Sequence, residues 1–248
     1  MNQTIETLMN HRSIRKFKDD KLSAEQIETI VKAAQRASTS SNVMAYTIIG
    51  ITESSLKEEL YKVSGQPYVK DNAMLFVFCA DSHRLSQLDS GGISEALPVN
   101  MESTEQFIVS TVDAALAAQN AAIAAESMGL GVCYIGSLRN DINRVNELLH
   151  LPEHVIPLFG LVTGYPDHQP EIKPRLPLPA VYHENGYRSF ADQKPYIDTY
   201  DEEMIAYYGE RSSNNKVDNW TDQMLRKYSS PTRMDVTEFV KRKQMNKR

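Results

Sequence analysis

Ala73-Met-Leu-Phe-Val-Phe-Cys-Ala80, AMLFVFCA, is apolar at every position. A run of this length without polar alternation is typical of a strand covered on both faces, so helices should lie above and below its sheet. Upstream, Ile5, Leu8 and Met9 fall on one face of a first helix that ends near Asn10. Ser23-Ala-Glu-Gln26 is a capping-box pattern, and Ile27, Ile30, Val31 and Ala34 follow it at helical spacing. Downstream, a helix from about Thr104 to Met128 contains DAALAAQNAAIAAE, residues 113–126. Alanine is the best helix former, and a helix apolar almost all round is buried, in the core or against a second subunit. Tyr46 to Ile51, Val132 to Ile135 and Val155 to Val162 read as further strands. Ser55 to just before Gly65 and Asn140 to His150 read as further helices. The order mixes α and β, which predicts one α+β domain with helices covering a central sheet.

Residues 82–103 are polar and dotted with Gly and Ser, as a surface excursion would be. From Tyr182 onward the chain is polar and would fold poorly alone, which suggests an arm laid over the body or over a partner. No apolar run reads as long enough to span a bilayer, and the N-terminus has no signal-peptide core. Cys79 and Cys133 both sit in apolar runs, which fits reduced, buried thiols in a cytoplasmic protein. A net charge of −5 argues against nucleic-acid or membrane-surface binding, so any basic cluster is local.

No GxGxxG, P-loop, HExxH or CxxC pattern is present, and no metal site is expected. Of the six histidines, His11 and His183 are the candidates for function. Four segments stand out. In HRSIRKF (His11 to Phe17) an extended backbone puts Ser13 and Arg15 on one side, with Arg12 and Ile14 on the other. Guanidinium forks and hydroxyls suit a phosphate, although a solvated turn has the same composition. Ser38-Thr-Ser-Ser-Asn42 reads equally as a polar ligand contact or as a helix-ending loop. Tyr134-Ile-Gly-Ser137 ends a buried strand in small residues, which allows a planar ring or merely a tight turn. Lys173-Pro-Arg175 offers two cations held extended by Pro174 and Pro177, or a plain loop. Together they suit a phosphorylated planar cofactor.

HRSIRKF, ASTSSN, GQPYV, DAALAAQNAAIAAESMGLG, CYIGSLRN, PLFGLVTGYP, KPRLP and the RSSNN segment at Arg211 occur in an order and spacing that resembles one family. It is the NADPH-dependent nitro/flavin reductase branch of the nitroreductases, the oxygen-insensitive group A and flavin reductase P type. The resemblance covers nearly the whole chain. It implies an α+β fold with a mixed, mainly antiparallel sheet covered by helices. Within a single domain of 1–248, residues 1–180 would be the core, and 181–248 a C-terminal extension over the partner subunit. It implies a cytoplasmic homodimer holding one non-covalent FMN per subunit.

Carried over residue by residue, His11, Arg12, Ser13 and Arg15 match the FMN-binding start motif, and Thr39 and Ser41 the hydroxyl positions. Gln66 and Tyr68 match a further contact loop, Tyr134, Ile135, Gly136 and Ser137 the ring-contacting segment, and Lys173 and Arg175 the phosphate-side cations. Arg15 would face the pyrimidine edge of the ring, where negative charge builds on reduction. Arg211, assisted by Lys216, would hold NADPH, with Arg233 a weaker candidate further along. Two departures from the pattern are Met44, where glutamine is expected, and Ser137, where a second glycine is frequent. The implied reaction passes a hydride from NADPH through FMN to a nitroaromatic, a quinone, free flavin or another small oxidant. It needs no catalytic side chain. The alternatives are an FMN carrier or sensor with little NADPH turnover, and an NADH-preferring relative.

Overall fold

The computed structural model describes residues 2–88, 95–211 and 215–248. Four strands, β1 (Tyr46–Ile51), β2 (Met74–Asp81), β3 (Gly131–Ile135) and β4 (Val155–Gly164), form one sheet in the order β1-β2-β4-β3. Their pairings are all antiparallel. An isolated parallel bridge, Ser13 to Val132, adds the mixed character.

All eight residues of β2 are buried, as its unbroken apolar run requires. Alternate side chains serve opposite faces. Met74, Phe76, Phe78 and Ala80 pack in one cluster with Ile30 and Ala34 of α2 (Ala24–Ala34) and the alanines of α6 (Thr104–Ser127). Leu75, Val77 and Cys79 pack with Leu60 of α3 (Ser54–Ser64) and Val145 of α7 (Ile142–Leu148). The β2–β4 register slips between Phe78 and Cys79, next to Pro157, which has no N–H to donate to a ladder. The capping box forms as expected: the Ser23 hydroxyl accepts the Gln26 amide, and the Gln26 side chain accepts the Ser23 amide.

The structure corrects the sequence on several elements. Helix α6 is, by length and hydropathy, apolar enough to cross a membrane, contrary to the expectation that no such run exists. Here it is a packing helix: Ala114, Ala117, Ala118, Ala121, Ala122 and Ala125 are each at most 1% exposed. Helix α1 (Gln3–Met9) buries none of its residues, and its apolar face, Ile5, Leu8 and Met9, stands open. The excursion at 82–103 contains two short helices, α4 (His83–Ser86) and α5 (Ala96–Met101), while residues 89–94 lie outside the described set.

The chain divides into two compact units, one of residues 1–170 with 233–248, the other of residues 171–232. The expected break lay at 180, with everything beyond it an extension. Instead the last stretch rejoins the first unit, because α8 (Phe190–Glu210) and α9 (Trp220–Tyr228) are followed by an amphipathic α10 (Asp235–Arg242). Phe239, Val240 and Met245 enter the main core, and Glu102 takes ion pairs from Lys247 and Arg248 at 3.0 and 2.8 Å. The second unit has a small core of its own, Tyr200, Met204 and Tyr208, with Leu176, Tyr207 and Trp220 packed against it.

Candidate functional site

HRSIRKF is not a free turn. Its backbone lies along β3, with Ser13 bridged to Val132 and the Ile14 amide donating to the Val132 carbonyl at 2.9 Å. Gly131 makes this possible, since a Cβ there would sit 2.6 Å from the Ile14 side chain. Ile14 is 5% exposed and points inward. Ser13 and Arg15 emerge on the other side, as the alternation of an extended segment demands. Both side chains lie near Cys133, and Arg15 lies near Tyr68 as well. Burial raises the pKa of the Cys133 thiol and of the Tyr68 phenol, and Arg15 opposes both shifts. Three segments far apart in sequence, around residues 13–15, 68 and 133, therefore share one locality.

His11 holds Glu126 of α6, with Nδ1 to Oε1 at 2.7 Å, and Arg12 donates to the carbonyls of Asn10 and Pro170 at 3.1 and 3.3 Å. Tyr134 points out of β3, edge-on to Phe159 at 5.6 Å, and burial pushes its phenol pKa upward. Ile135 is buried. Gly136 and Ser137 open the 3-10 turn that follows, where a Cβ at Gly136 would meet only the Arg139 guanidinium, at 3.3 Å. Gln66 sits just after the left-handed Gly65 that ends α3.

The hydroxyl loop is strained. Ser41, Asn42 and Met44 have φ of 48°, 57° and 51°, a region that side chains other than Asn rarely occupy. Buried Asp113 of α6 holds it there: one carboxylate oxygen accepts the Ser40 amide and the other the Ala45 amide, both at 3.0 Å. Arg84 adds donation to the carbonyls of Met44 and Tyr46. Thr39 and Ser41 are thereby presented on a fixed backbone, with Thr39 half-buried and Ser41 exposed. Strain of this kind clusters at ligand sites.

In the second unit, Arg175 donates to the carbonyls of Lys173 and Pro174 at 2.7 and 3.2 Å. Lys173, Arg211 and Lys216 lie over the Tyr208 ring at 5.7, 5.8 and 4.3 Å from its centroid. Ser212, Ser213 and Asn214 of the RSSNN segment lie outside the described residues. Arg233, a candidate for the arm, belongs to the first unit and donates to Asn140 at 3.0 Å. His183 accepts the Arg188 amide through Nδ1 at 3.2 Å.

Two family models match the chain: the nitroreductase family over residues 8–165, and its C-terminal domain over residues 173–248. The chain belongs to the nitroreductase family. It is 50% identical, over the full length of both proteins, to the FMN reductase (NADPH) of Bacillus subtilis strain 168. The structure of the NfrA1 nitroreductase from B. subtilis superposes with a TM-score of 0.95 at 49% identity, covering 99% of this chain and 100% of that one. The NADPH:FMN oxidoreductase of Vibrio harveyi, solved with NAD+, gives 0.89 at 39% identity and full coverage of both chains.

Sequence reading did not single out Asp113, the buried carboxylate that braces the hydroxyl loop. Its signal was present, as the one acidic side chain at the head of an alanine-rich buried stretch, since a buried carboxylate must find donors.

Proposed function

We propose that this nitroreductase is an FMN-dependent NADPH oxidoreductase that reduces free flavin and other small planar oxidants, nitroaromatics and quinones among them. The observation that carries this reading is the meeting of Ser13, Arg15 and Tyr68 at the edge of β3, where the basic segment is docked by Gly131 and Ile14. The names of the relatives, FMN reductase (NADPH) and NADPH:FMN oxidoreductase, support it.

The residues present fit a phosphorylated, planar, redox-active group. Arg15 is exposed, with Ser13 and Tyr68 near it half-buried, so its guanidinium is available where ring charge needs stabilising. His11, Arg12, Ser13, Thr39, Ser41, Gln66, Tyr68, the Tyr134–Ser137 segment, Lys173 and Arg175 would hold the cofactor. When bound, FMN supplies acceptance of a hydride from NADPH and its delivery to the second substrate. The protein contributes binding, orientation and charge. Arg15 would place positive charge beside the ring, the Asp113-braced loop would fix the hydroxyls, and Arg211 with Lys216 would orient the dinucleotide. No proton relay is needed.

The test is steady-state oxidation of NADPH and of NADH with free FMN, a nitroaromatic or a quinone as acceptor. Turnover with a clear preference for NADPH is expected. Flavin binding without NADPH turnover would point instead to a carrier or sensor. Arg211→Ala should raise the KM for NADPH about tenfold or more, the loss of one charge-assisted contact, while NADH is much less affected. Equal damage to both nucleotides would remove Arg211 from the phosphate site.

The protein is further proposed to be a homodimer. Ile108, Val112 and Leu116 stand 50%, 47% and 44% exposed at four-residue intervals along α6, and Ile5, Leu8 and Met9 of α1 add to the open apolar surface. Such stripes on folded chains mark contact surfaces. Leu116→Glu should shift sedimentation toward the monomer at low micromolar concentration and reduce flavin content. A variant that sediments as the wild type does, with full flavin, would exclude this surface.

A further inference from the structure

We propose that Tyr208 is a positioning residue: its ring holds Arg211 and Lys216, with Lys173 in the same cluster, as a preformed site for a phosphomonoester dianion. This rests on the reading of Arg211 and Lys216 as contacts of the NADPH 2′-phosphate.

Tyr208 is 5% exposed, near the C-terminal end of α8, and packed against Tyr200 and Met204. Lys216 lies over its ring at 4.3 Å, Lys173 at 5.7 Å and Arg211 at 5.8 Å, with Arg211 also 5.7 Å from the Tyr207 ring. A ring face attracts cations through its quadrupole, within about 6 Å. The phenol is oriented as well. Gln223 spends its Nε2 on the Asn219 carbonyl at 2.8 Å, so its Oε1 accepts the Tyr208 proton at 3.1 Å. The phenol's lone pairs are then left facing Lys173, whose positive charge lowers the phenol's pKa. Burial alone would raise the phenol's pKa. The nearness of Lys173 and the charge of Lys216 act against burial, and the phenol's pKa lies below the ordinary tyrosine value.

Three cations around one ring repel one another. Asp218 pairs with Lys216 at 2.6 Å but is shared with Arg226 at 2.8 Å. Arg211 Nε is buried without a hydrogen-bond partner among the described residues, a donor held ready for an acceptor. A dianion with several acceptor oxygens would satisfy that donor and relieve the repulsion. A 2′-phosphate has this chemistry, and a 2′-hydroxyl does not.

The experiment measures the affinity of the FMN-loaded protein for adenosine 2′,5′-bisphosphate relative to AMP, by calorimetry. Tyr208→Leu should lower that preference about tenfold, as expected for losing the ring from two or three cations. Tyr208→Phe keeps the ring and should lower it by no more than about threefold. Replacement by pentafluorophenylalanine preserves the shape and reverses the ring quadrupole, so it should match Tyr208→Leu and tests the idea even if the leucine variant fails to fold. A wild-type preference in the pentafluorophenylalanine protein, or in folded Tyr208→Leu, overturns the proposal, as does a Tyr208→Phe loss as large as the leucine one. Arg211→Ala separates the two levels. If it leaves the preference intact, the reading of Arg211 itself fails. If it removes the preference while Tyr208→Leu does not, only the role of Tyr208 fails.

Discussion

Arg175→Ala protein is expected to purify pale and to recover activity when FMN is added. Arg175 follows Pro174, and among the described residues one terminal nitrogen of its guanidinium is engaged, by the carbonyls of Lys173 and Pro174. The remaining donors are available to a phosphate, for which the planar fork is suited. Losing one charge-assisted contact costs roughly 1.5–3 kcal/mol, or about 10- to 150-fold in FMN affinity. Flavin fluorescence quenching on the apoprotein reads this directly. Full flavin occupancy in the purified variant would remove Arg175 from the cofactor site.

Asp113→Ala should be as damaging, through a different route. The side chain is 1% exposed, and both of its oxygens accept backbone amides that bracket the strained segment. Truncation leaves the Ala45 amide buried without its acceptor and frees Ser41 and Met44 to leave the left-handed region. Two hydrogen bonds to a charged acceptor are worth about 3 kcal/mol or more together. Urea unfolding of the apoprotein at fixed concentration should show that loss, with FMN bound more weakly because Thr39 and Ser41 no longer sit on a fixed backbone. Met44→Asn in the Asp113→Ala background should recover part of the binding, since asparagine tolerates a positive φ. A stability loss under about 1 kcal/mol would show that the loop holds itself without Asp113.

What could be read from the sequence was local. AMLFVFCA gave a strand covered on both faces because periodicity alone reports burial, and Ser23 with Gln26 gave a helix start because both partners lie within four residues. Contacts between distant segments were not legible. Nothing in HRSIRKF says that its third residue pairs with Val132, or that Gly131 must lack a side chain to admit Ile14. Asp113 acts on amides 73 and 68 positions away. Lys173 and Lys216 read as separate cations, and only the packing of α8 sets both on Tyr208. The rejoining of residues 233–248 to the core was hidden because α10 is only eight residues long and its apolar positions are few. The resemblance to nitro/flavin reductases supplied the chemistry of the site, which composition alone left open between a ligand cradle and a solvated turn.

Anaerobic spectrophotometry of the purified protein, followed at the visible flavin band during additions of NADPH or NADH, is the most direct test of hydride transfer through FMN. One FMN per chain is expected, bleached faster by NADPH than by NADH and recoloured when an oxidant is admitted. A protein that takes up no FMN, or one whose bound flavin neither nucleotide bleaches, would contradict it.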